Sequence, residues 1–134
     1  DVAREYESHG WLISDALDTS VDYLAYRDMI RGSRGEFTVA KDLNIRIRSG
    51  WFSDRAACYL AAGRPVLNQD TGFDDYLPVG EGLFSWRTED DILAAVAAVE
   101  ADYPRHRAAA LRIAREYFDS DKVLGGMLKD IGLA

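Results

Sequence analysis

Apolar residues fall along this 134-residue chain in short runs separated by polar turns, and the runs differ in period. Trp11 to Ala16 (WLISDA) is a compact apolar run ending in turn residues, the pattern of a buried strand. Ser20 then reads as an N-cap, with Asp22 in the first turn, for a helix through about Ile30. Its apolar stripe includes Tyr23, Tyr26, Met29 and Ile30, and Gly32 or Gly35 ends it. Glu36 to Ala40 (EFTVA) predicts a second strand. Asn44 to Arg48 (NIRIR) alternates apolar and basic residues as a short extended piece or a shaped loop does. After Gly50, the segment WFSDRAACYLAAG predicts a helix closed by Gly63. Pro65 to Asp70 (PVLNQD) is a buried strand broken by Thr71-Gly72, and Gly82 to Trp86 (GLFSW) is another. Thr88 with Asp91 three residues on forms a capping box for a helix through about Asp102, with Ile92, Ala95, Val96 and Val99 inward. Pro104 opens the next helix, and Ser120 or Asp121 a final one.

Strands that alternate with helices join as parallel neighbours through crossovers, in a sheet covered on both faces. The pattern therefore predicts an α/β fold, one half of a doubly wound architecture. The opening DVAREYESHG has the composition of a helix end, so the expected domain begins upstream of Asp1.

Composition narrows the classes. With 48% hydrophobic residues, the chain suits one compact domain that buries roughly two-thirds of its unfolded surface. The single Cys58 has no disulfide partner, and its setting among Ala57, Leu60 and Ala61 predicts a packed thiol. No run approaches the ~20 apolar residues of a membrane helix, and Arg4, Glu5 and Glu7 interrupt any secretory pattern, so a cytoplasmic setting is expected. A net charge of −7 argues against a protein that coats nucleic acid. Residues 27 to 55 are the exception, with seven basic side chains against four acidic ones. Such a segment fits a small anion bound locally, or a solvated charged face.

Ligands of open parallel sheets sit beyond the carboxyl ends of the strands. Three segments fall there: Ala40 to Arg48, the turn Ser49-Gly50-Trp51-Phe52-Ser53, and Asp70 to Phe73. The turn precedes a helix, whose unpaired N–H groups and positive end favour a phosphate, with Lys41, Arg46, Arg48 and Arg55 in reach. The plainer alternative is that Ser53 only caps the helix and Arg55 pairs with an acid. Asp70, Thr71 and Gly72 offer a carboxylate, a hydroxyl and a hinge for sugar hydroxyls, or simply a turn. His9 and His106 are far apart and lack partners at metal or triad spacing; His106, just past a helix start, is expected in solvent. No side chain is assigned as catalytic.

The segment SGWFSDRAACYLAAGRPVLNQDTGF resembles the C-terminal domain of GT-B glycosyltransferases, in the spore-protein-like branch of the group 1 glycosyl transferases. The likeness runs from about Trp11 to Leu128. AAGRPV resembles that family's ACG-x-PV, Asp54-Arg55 its helix-opening D-R, and Gly80 to Phe84 its G-E-G-L-F segment. The resemblance implies a three-layer Rossmann-like half of a GT-B fold that binds a nucleoside-diphosphate sugar as substrate. It further implies an N-terminal acceptor domain outside this chain, and transfer without a bound metal or other cofactor. On this reading Lys41, Arg48, Ser49 to Ser53 and Arg55 face the diphosphate, and Asp54, Asp70, Thr71 and Gly72 face the sugar or ribose. One departure stands out: many retaining members place two glutamates eight positions apart, and the matching positions here are Gly50 and Cys58. Neither accepts a hydroxyl as a carboxylate does, and Asp54 and Asp70 are the substitutes at hand. Two other readings remain, a phospho-receiver-like signalling domain and a non-catalytic α/β interaction module. The first needs an acidic pair after its first strand and a phosphorylatable Asp after its third; Asp15 and Asp70 fit this only loosely, and the usual Asp-Asp pair is absent.

Overall fold

The computed structural model describes residues 2 to 133. It divides into two compact units, one ending at Gly32 and the other beginning at Ser33.

Among the described residues, the first unit holds α1 (Val2–Ser8), α2 (Leu17–Ser20) and α3 (Tyr23–Gly32). The expected strand at Trp11 to Ala16 does not form. Trp11 instead turns back, its N–H donating to Tyr6 O (3.1 Å) and its ring meeting Tyr6 edge-on at 5.9 Å. Asp15 takes the Leu17 N–H on its carboxylate (2.9 Å) and starts the α2 turn. Leu12 is 98% exposed, so the apolar run has no buried face to hold it extended. Helix α3 is capped by Asp22, which accepts from the N–H groups of Leu24 and Ala25, and not by Ser20; it stops at Gly32 as expected.

The second unit is mixed α/β. Its sheet has three parallel strands, β1 (Glu36–Thr38), β2 (Val66–Gln69) and β3 (Leu83–Trp86), in the order β1-β2-β3. The chain passes from β1 to β2 through α4 (Asp42–Arg46) and α5 (Asp54–Ala61), so the NIRIR segment is largely helical and not extended. Lys41 precedes α4 in an extended conformation and Asp42 places its charge in the first turn, which favours helix over the strand-like alternation. A 3-10 turn at Phe73–Asp75 lies between β2 and β3, and α6 (Glu89–Ala101), α7 (Tyr103–Tyr117) and α8 (Ser120–Asp130) complete the unit. The Thr88–Asp91 capping box is formed in full.

Alternation sorts the strand side chains between two faces. Leu67, Phe84 and Trp86 pack with Ala95 and Val99 of α6, flanked by Ile92 and Tyr103. Val96, expected inward, is 46% exposed, because it lies at the edge of a stripe centred on Ala95 and Val99. Val66 and Leu83 are fully buried on the other face, the side from which Arg55 of α5 reaches Glu36 and Thr38. Ala56, Tyr59 and Leu60 are the buried positions of α5, which packs on α7. Cys58 falls on the opposite side of α5 and is exposed, contrary to the packed thiol expected from its neighbours. His106 is also the reverse of expectation. It is buried, its ring lies 5.3 Å from Phe84, and its Nδ1 accepts the Gly82 N–H at 3.2 Å. Gly82 adopts φ +74°, and a Cβ there would stand 2.4 Å from Ala110 N, so β3 and α7 approach as only glycine allows.

Candidate functional site

The carboxyl ends of the three parallel strands lie along one edge of the sheet, and Asp70 sits one residue beyond β2. Its N–H continues the ladder to Trp86 O (2.9 Å), which fixes the backbone. The side chain is buried, and both oxygens are engaged. Oδ1 accepts the Gly72 N–H at 2.7 Å; Oδ2 accepts Arg48 Nη1 at 3.1 Å and Arg87 Nε at 2.5 Å. Burial alone disfavours the charged carboxylate, but the Gly72 N–H and the two guanidiniums outweigh it and hold Asp70 below the usual carboxylate range. Arg48 and Arg87 are in turn raised, first by their hydrogen bonds to Asp70.

Arg48 also lies 3.5 Å from Asp75 and 3.8 Å from Asp74, and Arg87 reaches Asp74 at 3.8 Å. The basic segment of the sequence thus meets acids from a distant loop. Two arginines and three aspartates form one cluster, and its charge is not the positive patch that residues 27 to 55 suggested alone. Arg48 has φ +47°, a left-handed conformation that costs roughly 1–2 kcal/mol outside glycine. Gly72 sits against it: a Cβ on Gly72 would stand 3.3 Å from Arg48 O and 3.4 Å from Arg48 Cβ.

The Ser49 to Ser53 turn is tied to the same place. Gly50 N–H donates to Thr71 O (2.8 Å), and the buried Thr71 hydroxyl donates to Trp51 O (2.6 Å). Ser49 Oγ bonds Asn44 Oδ1 and accepts the Trp51 N–H. Phe52 packs between Phe73 (5.4 Å) and Phe118 (5.5 Å). Ser53 caps α5 by accepting the Ala56 N–H at 3.0 Å, and Asp54 Oδ1 accepts the Arg55 N–H at 2.9 Å. Two of the N–H groups that favour a phosphate are therefore closed by the helix's own side chains. Lys41 is exposed at the start of α4.

Arg55 belongs to a second cluster. Its Nε donates to Glu36 Oε1 at 2.5 Å, and Thr38 Oγ1 donates to the same oxygen at 2.8 Å. The expected site residues thus separate. Arg48, Asp70, Thr71, Gly72 and the 49–53 turn come together, whereas Arg55 is paired with a buried acid on β1. Arg87, Asp74, Asp75 and Glu36 are the participants sequence reading missed. Arg87 was accessible by the strand-end rule that singled out Asp70, since it follows β3 directly; Glu36 opens its strand and nothing local marks it.

Comparison of the chain with protein-family models, with curated proteins and with solved structures finds no match. Among the described residues, no helix is long and apolar enough to cross a membrane.

Proposed function

We propose that this chain is the donor-binding domain of a GT-B glycosyltransferase and takes a nucleoside-diphosphate sugar at the carboxyl edge of its sheet. One observation carries the reading. Arg48 and Arg87, from different loops, converge on one oxygen of buried Asp70 beside the Ser49 to Ser53 turn, while 48% and 64% of their side chains stay exposed. A guanidinium has five N–H donors, so each arginine keeps donors beyond those it turns to these aspartates. Transfer breaks the bond between the sugar and the diphosphate, which leaves with the electron pair. Guanidiniums held in advance stabilise the charge that develops on it. Asp70 is then a positioning residue, since its oxygens are already engaged. The acceptor and any base that deprotonates it belong to a further domain, as does the rest of the cleft.

The closed N–H groups of α5 and the self-paired arginines favour one competing reading, a non-catalytic α/β module that binds no nucleotide. Calorimetric titration of the chain with nucleoside diphosphates and with the matching nucleosides separates the two. Tighter binding of the diphosphate, weakened by added salt, supports the donor site. Heat from neither ligand supports the module.

A further inference from the structure

The face of the sheet toward α5 carries a polar rung where packing alone would call for apolar side chains. Thr38 pairs in register with Asn68, and Asn68 with Ser85, so the three side chains stand side by side on adjacent strands. Thr38 is 2% exposed and Asn68 fully buried. Glu36 joins the rung from below, because its carboxylate leans up to Thr38. Three atoms here are buried with no hydrogen-bond partner among the described residues: Glu36 Oε2, Asn68 Oδ1 and Ser85 Oγ.

Their chemistry selects what they bind. Asn68 Nδ2 donates to Gln69 O at 2.9 Å, which fixes the amide, since the flipped orientation would set two carbonyl oxygens against each other. Asn68 Oδ1 therefore presents an acceptor, Glu36 Oε2 is a second, and the Ser85 hydroxyl accepts or donates. With the Glu36 carboxylate and the Asn68 carbonyl oxygen both unmet, the rung favours a neutral group that can donate over phosphate or another anion. Neighbouring strands are ~4.8 Å apart, a gap that a hydroxyl and an amide oxygen bridge readily through a water. A buried polar group left unmet is destabilising, and internal waters typically make about two to four hydrogen bonds.

We infer that the Thr38–Asn68–Ser85 rung is a built site for an internal water, which donates to Asn68 Oδ1 and bonds Ser85 Oγ on the adjacent strand. It lies one rung below Asp70 and Arg87. Oxygen-17 magnetic relaxation dispersion on the full chain counts long-lived waters in solution. Asn68→Leu should lower the dispersion by about the contribution of one water molecule. Ser85→Val, which fills the gap from the next strand and keeps a good strand former, should do the same if Asn68→Leu fails to fold. A dispersion unchanged in a folded variant overturns the inference. So does a crystal structure of the parent chain in which the rung is dry, or in which rubidium soaking puts anomalous density there.

Discussion

Replacing Asp70 by asparagine is the sharpest perturbation of the carboxyl-edge cluster. The side chain is 6% exposed and accepts three hydrogen bonds, from Gly72 N–H, Arg48 and Arg87. Asparagine keeps one acceptor for Gly72 but turns an NH2 toward the two guanidiniums, donor against donor. Losing a charge-assisted bond at a buried acceptor costs about 1.5–3 kcal/mol, and the half-exposed arginines recover hydration, so the lower end is expected. The sign with pH follows from the depressed carboxyl. Its stabilising effect is complete above the unfolded value of about 3.9 and is lost as pH falls through the lower folded value. Urea unfolding of parent and Asp70→Asn at about pH 7 and again at about pH 3 measures this. The parent should be more stable near neutrality, and the difference should shrink in acid. A difference that is absent near neutrality, or the same at both values, refutes the cluster as described.

Gly82→Ala should destabilise by roughly 2–5 kcal/mol, combining left-handed strain with displacement of α7, and thermal unfolding checks it. Cys58→Ser should leave the melting temperature and any ligand affinity unchanged, and Cys58 of the parent should react with a thiol reagent without prior unfolding, because the side chain is exposed. His106→Leu should cost about 1–3 kcal/mol by leaving the buried Gly82 N–H without its acceptor, read as a lower urea midpoint.

The fold was legible where local chemistry and tertiary packing agree. The Ser53 cap, the Thr88 capping box, Gly63 and the short apolar runs that open β2 and β3 stated their own positions. It was illegible where a pattern served two structures. WLISDA has the length and apolarity of a buried strand, but Asp15 nucleates a turn and Leu12 faces solvent. NIRIR alternates like a strand, yet Asp42 starts a helix there. The candidate site divides the same way. The strand-end rule found Asp70 and the 49–53 turn, which the structure joins through Thr71. It could not find which acids neutralise which arginines, because Arg48 with Asp74 and Asp75, and Arg55 with Glu36, are pairings of residues well separated in sequence.

The donor site is tested most directly by titrating a nucleoside diphosphate and its nucleoside against the parent chain, Arg48→Ala, Arg87→Ala and Arg55→Ala. Where the parent binds the diphosphate, Arg48→Ala and Arg87→Ala should each weaken it about tenfold or more while changing nucleoside binding little, since only the diphosphate carries the charge these arginines meet. Arg55→Ala should act less on affinity than on stability, through the Glu36 carboxylate it leaves buried. Equal losses for both ligands in the Arg48 and Arg87 variants, or no diphosphate binding by the parent, would contradict a donor site at the carboxyl edge.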